Sequence, residues 1–170
     1  QINSVQTEKL YQKAIDYAQL SGNEIVLDTY CGIGTIGLYM APVAKHVYGV
    51  EIVPSAIEDA KQNALINHFD NTTFECGKAE EVIIEWKQKG IEPDVIMVDP
   101  PRKGCDQVFI ETLLELAPKR IIYISCNPST QQRDAQLLAN LYYLKEITPV
   151  DMFPHTTHIE TVALFERKTL

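Results

Sequence analysis

Residues 24–37, EIVLDTYCGIGTIG, pass from a short apolar run into a loop that contains three glycines. The apolar run has the length of a strand, and glycine lets a chain turn tightly and approach a ligand closely. A helical pattern begins at Thr35, so the stretch predicts a strand, a glycine-rich turn and a helix. Gly32, Gly34 and Gly37 also match the GxGxxG spacing of dinucleotide sites, which by itself leaves the ligand open.

The same alternation of strand and helix continues along the whole chain. Apolar runs of strand length lie at Glu24–Asp28, His46–Ile52, Thr72–Cys76, Asp94–Asp99, Arg120–Cys126, Tyr142–Val150 and Ile159–Arg167. Helical patterns lie at Ser4–Leu20, Thr35–Ala44, Pro54–His68, Ala79–Lys89, Gln107–Leu116 and Pro128–Asn140. Consecutive apolar positions are typical of strands that helices cover on both faces. We predict an α/β fold with a mostly parallel, seven-stranded, doubly wound sheet, whose last strand is antiparallel because only a loop precedes it.

Length and charge limit the classes of protein. A chain of 170 residues with 45% hydrophobic content is long enough for one domain with a continuous core. No apolar run reaches the roughly 20 residues that cross a bilayer, so we expect a soluble, cytoplasmic protein without a membrane partner. A net charge of -8 is unfavourable for binding phosphate backbones. Because the chain begins at Gln1 without methionine, we expect it to be part of a longer protein whose remainder could carry a basic surface.

Ligands of such sheets bind at the carboxyl ends of the strands, so residues at strand ends are candidates for a site. Asp28 closes the first strand, and Tyr30 offers a flat face to an adenine or a sulfonium. Glu51, at the end of the second strand, suits a ribose hydroxyl. These residues favour a nucleoside-containing methyl donor, with a plain strand-to-helix turn as the alternative.

The fourth strand leads into a proline-rich loop, residues 99–104, DPPRKG. Asp99 could accept a hydrogen bond from a base imide or lie near the positive charge of a donor. Arg102 and Lys103 could contact a phosphate. The alternative is a turn that ends the strand and carries solvated charges.

The fifth strand ends at Cys126, directly before a helical pattern. Asn127 can cap that helix and Pro128 can open it, which places the thiol near a helix N-terminus. The partial positive charge there favours a thiolate, which makes Cys126 the candidate nucleophile. The alternative is a small buried hydrophobe, which is the commoner role of a free cysteine. The other cysteines form no CxxC pair, so we predict neither a metal site nor a disulfide and assign this buried role to Cys31, Cys76 and Cys105.

The segment before the last strand contains His155, His158 and Glu160. Two histidines three residues apart, without cysteine partners or a helix, are a weak pattern for zinc, so we expect no metal. Glu160 is equally compatible with a desolvated general base and with a charge at the edge of a strand.

Five segments together resemble the bacterial RNA uracil-C5 methyltransferases, a family that modifies ribosomal and transfer RNA. They are residues 1–4, Asp28–Gly37, Asp99–Gly104, Ser125–Thr130 and His158–Val162. The resemblance covers nearly the whole chain. It implies a Rossmann-like class I fold, S-adenosylmethionine as the methyl donor and RNA as the substrate, with 23S ribosomal RNA expected before transfer RNA. It also implies a monomer and RNA-binding parts upstream, often with an iron-sulfur cluster.

The resemblance also assigns roles to individual residues. It implies that Cys126 is the nucleophile, that Glu160 removes the C5 proton, and that the donor contacts Gln1, Tyr30, Glu51 and Asp99. The turn adds Asp28, Gly32 and Gly34 to the expected donor site, and Asp99 and Arg102 are the expected contacts to the substrate. Three alternatives stay open: a methyltransferase for exocyclic amino groups, which needs no Cys126, a nucleotide-binding oxidoreductase, and an RNA-binding module without catalysis.

Overall fold

The predicted alternation of strand and helix is present in the computed structural model, which describes residues 3–169. The strands are β1 Ile25–Thr29, β2 His46–Glu51, β3 Thr72–Cys76, β4 Val95–Val98, β5 Arg120–Ser125, β6 Tyr142–Val150 and β7 Glu160–Arg167. The helices are α1 Ser4–Ala18, α2 Thr35–Met40, α3 Pro54–Ile66, α4 Ala79–Gln88, α5 Gln107–Leu116 and α6 Pro128–Leu138. The second helix ends earlier than predicted, in a 3₁₀ turn at Ala41–Val43, because Pro42 supplies no amide for a longer α-helix.

The strands form one sheet in the order β3-β2-β1-β4-β5-β7-β6. Strands β1 to β5 pair in parallel, and β7 is antiparallel to both β5 and β6, which confirms the predicted fold class. The order of strands reverses between β1 and β4. In sheets of this kind a ligand binds outside the carboxyl ends of the strands at that point.

Helices cover the sheet on both faces and bury nearly every residue of its central strands. One core cluster joins α1 and α2 to one face of the sheet, and a second joins α4 and α5 to the other. All four residues of β4 are buried because their side chains alternate between these two clusters. None of the helices within residues 3–169 is long and apolar enough to traverse a bilayer.

Parallel pairing places the ends of β1, β2, β4 and β5 at one edge of the sheet. The antiparallel β7 begins at this same edge. Loops that follow four strands and the start of a fifth therefore meet there, although they are far apart in the sequence.

Candidate functional site

A cavity of about 470 Å³ opens at this edge, beside the point where the strand order reverses. Its volume lies in the range of small-molecule and cofactor sites. Of the residues predicted to bind a donor, Tyr30, Glu51 and Asp99 line it. The other lining residues are Val50, Ile52, Gly77, Lys78, Ala79, Glu80, Pro101, Lys103, Gly104 and Asp106.

The Glu51 carboxylate is oriented by backbone amides. It accepts hydrogen bonds from the amides of Gly32 at 3.2 Å, Ile52 at 2.8 Å and Val53 at 3.1 Å. A carboxylate oxygen has two lone-pair sites, so the group can still accept hydrogen bonds from hydroxyls in the cavity. Glu51 therefore joins the glycine turn to the end of β2 and presents a fixed acceptor.

The turn after β1 has a conformation that side chains rarely adopt. Gly34 has a φ of 81°, and a Cβ atom there would lie 3.0 Å from Phe74 Cζ and 3.1 Å from Ala60 Cβ. Tyr30 also has a positive φ, 60°, and its ring packs edge-on against Phe109 at 5.3 Å between centroids. The backbone strain at Tyr30 is held by its surroundings, which is typical of functional sites.

Asp28 lies below the turn rather than in the cavity. Its side chain is only 1% exposed and accepts a hydrogen bond from the Gly37 amide at 2.8 Å. Burial raises the pKa of Asp28 to about 7, helped by the charges of Asp99 and Glu51 and opposed by the Gly37 amide. Among the predicted donor residues, Asp28 thus supports the turn from beneath and does not line the cavity.

Cys126 and Glu160 lie at the end of the β5–β7 ladder. Ser125 pairs with Thr161 there, so Cys126, in the bend after β5, directly follows one partner, and Glu160, the first residue of β7, directly precedes the other. The charge of Glu160 raises the pKa of Cys126, so the two side chains are close enough to interact. The structure therefore brings together a half-buried thiol and a buried carboxyl group from two distant parts of the chain.

Asp99 connects this pair to the cavity. Burial and, to a smaller extent, the charge of Glu160 together raise the pKa of Asp99 to about 7. Burial likewise raises the pKa of Glu160, opposed by His158. Asp99 therefore lies close enough to Glu160 for their charges to interact, while its own side chain also lines the cavity. The carboxyl groups of Asp28, Asp99 and Glu160 share this edge and repel one another when ionised.

The pKa of the Cys126 thiol moves in the direction opposite to the one predicted from the sequence. Asn127 does cap α6, since its Oδ1 accepts a hydrogen bond from the Ser129 amide at 3.2 Å. Burial nevertheless raises the pKa of Cys126, and the carboxylates of Glu160 and Asp99 raise it further. The local backbone amide and Arg102 lower it, but their combined effect is smaller.

Other predicted residues have mixed outcomes. Arg102 is exposed at the rim, and Gln1 lies outside the described residues. Cys31 and Cys105 are buried as predicted, whereas the prediction for Cys76 is wrong: it is exposed at the end of β3, with its thiol 3.6 Å from the Ile52 carbonyl. In the described part of the chain, no three His, Cys, Asp or Glu side chains converge as a metal site.

Sequence reasoning missed the wall of the cavity that follows β3. Gly77 and Lys78 lie there because β3 ends at the same edge as the other parallel strands. The rule that ligands bind at the carboxyl ends of strands could have identified this loop. It also missed a polar network behind the site, in which the Gln131 amide donates to the Tyr123 carbonyl at 2.9 Å and the Thr161 hydroxyl contacts Gln131 Oε1 at 2.8 Å.

The sequence pattern of the tRNA (Uracil-5-)-methyltransferase family matches residues 1–168 of this chain. An uncharacterized RNA methyltransferase of Staphylococcus aureus strain COL is 79% identical to it over 168 residues. Those residues are 99% of this chain but only 37% of that relative, so the chain spans little more than a third of the relative's length.

Solved structures show the same fold. The tRNA (uracil-54, C5)-methyltransferase of Pyrococcus abyssi, in complex with S-adenosyl-L-homocysteine, is 38% identical with a TM-score of 0.84. The similarity covers 96% of this chain and 38% of that one. The N-methyltransferase NodS of Bradyrhizobium japonicum, at 15% identity and a TM-score of 0.78, is similar in fold alone over 99% of this chain and 90% of its own.

Proposed function

This chain belongs to the tRNA (uracil-5-)-methyltransferase family, and from that premise we propose that it transfers a methyl group from S-adenosylmethionine to C5 of a uridine in RNA. We also propose that it is the catalytic part of a longer enzyme, since it spans 37% of its S. aureus relative. The observation that carries the proposal is that Cys126 and Glu160 lie together at the end of the β5–β7 ladder and interact electrostatically with Asp99, a residue of the cavity wall.

The cavity has the features that a cationic nucleoside needs. Glu51 presents an oriented acceptor for ribose hydroxyls, and Tyr30 presents an aromatic ring. Asp28 and Asp99 have pKa values raised to about 7 in part by neighbouring carboxylates. A positive charge placed among these groups favours their ionised form, so it is bound more strongly here than in a neutral cavity.

Cys126 and Glu160 then divide the chemistry between them. The Cys126 sulfur adds to C6 of the uracil ring, which makes C5 an enolate carbon and hence a nucleophile. S-adenosylmethionine supplies an electrophilic methyl group on a sulfonium sulfur, and C5 takes that group. Glu160 removes the proton from C5, and the bond between sulfur and C6 breaks to restore the ring and the thiol.

The raised pKa of Cys126 is consistent with this order of events. A thiolate beside the carboxylates of Asp99 and Glu160 is unfavourable when the cavity lacks a cation. The positive charge of the donor offsets these carboxylates, so the nucleophile forms when the methyl group is in place. Adduct formation without a donor is thereby suppressed.

RNA is the proposed partner, although the chain itself carries a net charge of -8. We propose that the rest of the enzyme supplies the basic surface that holds RNA, and that the enzyme acts in the cytoplasm as a monomer. A pyrimidine must leave its stack before Cys126 can reach C6, so the substrate is an unpaired or flipped uridine. We propose 23S ribosomal RNA as the substrate, with transfer RNA as the alternative.

Deletion of the gene is expected to remove 5-methyluridine from a specific position of 23S ribosomal RNA. Mass spectrometry of nuclease fragments from the deletion strain and its parent measures this loss, and the gene on a plasmid is expected to restore it. A strain that carries the Cys126→Ala form on the plasmid is the matched control. Loss of 5-methyluridine from transfer RNA alone would show that transfer RNA, and not 23S ribosomal RNA, is the substrate. Unchanged 5-methyluridine in both RNAs would contradict the proposed function.

Glu51→Gln is expected to weaken binding of S-adenosylhomocysteine by about tenfold, because one charged acceptor of ribose hydroxyls becomes a neutral one. Isothermal titration calorimetry of the complete enzyme measures the change, with Glu58→Gln on the exposed side of α3 as the control. NADH is titrated in parallel. Equal affinity for S-adenosylhomocysteine in both variants would exclude Glu51 from the donor site, and tight binding of NADH alone would favour an oxidoreductase.

A further inference from the structure

The loop that carries Asp99 and the loop that carries Cys126 are joined by hydrogen bonds outside the cavity. The Arg102 carbonyl accepts one from the Asn127 side-chain amide at 3.2 Å and one from the Thr130 hydroxyl at 3.4 Å. Both donors lie at the start of α6, directly after the nucleophile. These two hydrogen bonds couple the positions of the two loops at this point.

Behind these loops, a buried carboxylate connects three elements of the fold. Asp134 of α6 is 0% exposed. Its Oδ2 accepts hydrogen bonds from the Cys105 amide at 2.9 Å and the Tyr123 hydroxyl at 2.6 Å, and its Oδ1 accepts from Arg133 Nε at 2.8 Å. Arg133 Nη2 also donates to the Cys105 carbonyl at 3.0 Å. We call these side chains, with the backbone of Cys105, the Asp134 clamp.

The clamp leaves no space for another side chain. Gly104 has a φ of 79°, and a Cβ atom there would lie 2.6 Å from Arg133 Nη2, 2.8 Å from Asp134 Oδ2 and 3.0 Å from Thr130 Cβ. The loop of Asp99 thus ends with its backbone directly against α6. Glycine is the residue that this conformation and this close approach favour.

We propose that Asp134 is a positioning residue, which holds the loop of Asp99 at a fixed distance from Cys126. This inference rests on the proposed function, because it concerns the alignment of the donor cavity with the nucleophile. Tyr123 lies in β5, three positions before Cys126. The Asp134 carboxylate binds β5, which leads to Cys126, and the loop that begins at Asp99. It therefore fixes the positions of Cys126 and Asp99 relative to each other.

The chemistry of the clamp supports a positioning role. Burying a carboxylate is costly, and an apolar residue of similar volume often gives equal or greater stability. The charged network instead fixes the relative orientation of the elements that it joins, since each of its hydrogen bonds restricts an angle as well as a distance. Methyl transfer depends strongly on such alignment, because misplacement of a reacting group by about 1 Å can lower a rate by about 100-fold.

Tyr123→Phe removes one hydrogen bond of the clamp and keeps the ring in the core. In the complete enzyme we expect kcat for 5-methyluridine formation to fall by about tenfold, with a smaller loss of affinity for S-adenosylhomocysteine, because the loosened loop also lines the cavity. Tyr142→Phe is the matched control, because Tyr142 is equally buried and its hydroxyl donates to the Pro118 carbonyl at 3.0 Å, away from the site. We expect both variants to lose similar thermal stability and only Tyr123→Phe to lose kcat.

Arg133→Lys provides a second variant at a half-exposed side chain, and it keeps the positive charge beside the buried Asp134 carboxylate. Lysine keeps the charge but not the planar fork that contacts Asp134 and Cys105 together. We expect a fall in kcat in the same direction as for Tyr123→Phe, by roughly threefold, again with a smaller loss of donor affinity.

A readout without RNA separates this inference from the proposed function. The rate of alkylation of Cys126 by iodoacetamide, followed by mass spectrometry across pH, reports the ionisation of its thiol. The charged groups that act on this thiol are Glu160, Asp99 and Arg102. A looser Asp99 loop hydrates the thiol and moves a carboxylate away, so Tyr123→Phe is expected to lower the midpoint of the profile and Tyr142→Phe to leave it unchanged.

Equal kcat and equal alkylation profiles in the two phenylalanine variants would overturn the positioning role. If the complete enzyme forms no 5-methyluridine, the proposed function fails by itself. The alkylation profile then still decides whether the clamp sets the surroundings of Cys126.

Discussion

Cys126→Ala is expected to abolish methylation by the complete enzyme, lowering the rate by at least about 10⁴-fold, as loss of a covalent nucleophile does in other enzymes. Without the sulfur nothing adds to C6, and C5 stays too weak a nucleophile to take the methyl group. Transfer of a radiolabelled methyl group from S-adenosylmethionine to RNA measures the effect. Binding of S-adenosylhomocysteine is expected to persist, because Cys126 does not line the cavity.

A covalent trap tests the same residue directly. With S-adenosylmethionine present, RNA that carries 5-fluorouridine gives an adduct with Cys126 whose C5 bears the transferred methyl group and fluorine in place of a proton. Elimination of the sulfur is then blocked, and the adduct is expected to be visible as a complex on a denaturing gel. Cys126→Ala is expected to give no complex, while Cys76→Ala, which removes an exposed thiol at the same edge of the sheet, behaves as the natural protein. Full activity of Cys126→Ala would favour a methyltransferase for exocyclic amino groups instead.

Glu160→Gln is expected to stop the reaction one step later. The uracil ring can still gain the sulfur and the methyl group, but the C5 proton has no base, so the methylated adduct accumulates on ordinary RNA without fluorine. We expect kcat to fall by about 10³-fold, within the range of general-base catalysis. A denaturing gel detects the labelled adduct, and a single-turnover experiment is expected to show one methyl group per enzyme.

Glu166→Gln is the control for this variant. It makes the same change on the same strand, at a carboxylate that lies near Arg120 and Lys145 and far from the site. We expect normal turnover and no accumulated adduct. If Glu160→Gln instead turns over at the natural rate without an adduct, another group must remove the C5 proton.

Much of the fold could be predicted because its causes are local. Continuous apolar runs such as Val95–Val98 indicate strands that are covered on both faces, and all four residues there are buried. Pro54 and Pro128 open α3 and α6 as their fixed φ angle favours. The loop between the last two strands required an antiparallel β7, and this pairing is confirmed.

The assembly of Tyr30, Glu51 and Asp99 around one cavity also followed from the sequence, since parallel strands carry their ends to the same edge. The ionisation of the groups at that edge could not be predicted from the sequence. The sequence places Cys126 at a helix N-terminus, which favours a thiolate, yet burial and two carboxylates raise its pKa. Those effects depend on distances between residues far apart in the chain.

Local periodicity and capping thus determined the elements, their order and the edge at which the site lies, because each depends on neighbours within a few residues. Only the tertiary structure decided that Asp28 is buried beneath its turn, that Cys76 is exposed, and that Asp134 joins β5 to the loop of Asp99 from inside the core. Burial and Coulomb interactions sum over all surrounding atoms, and those atoms are neighbours only after the chain has folded.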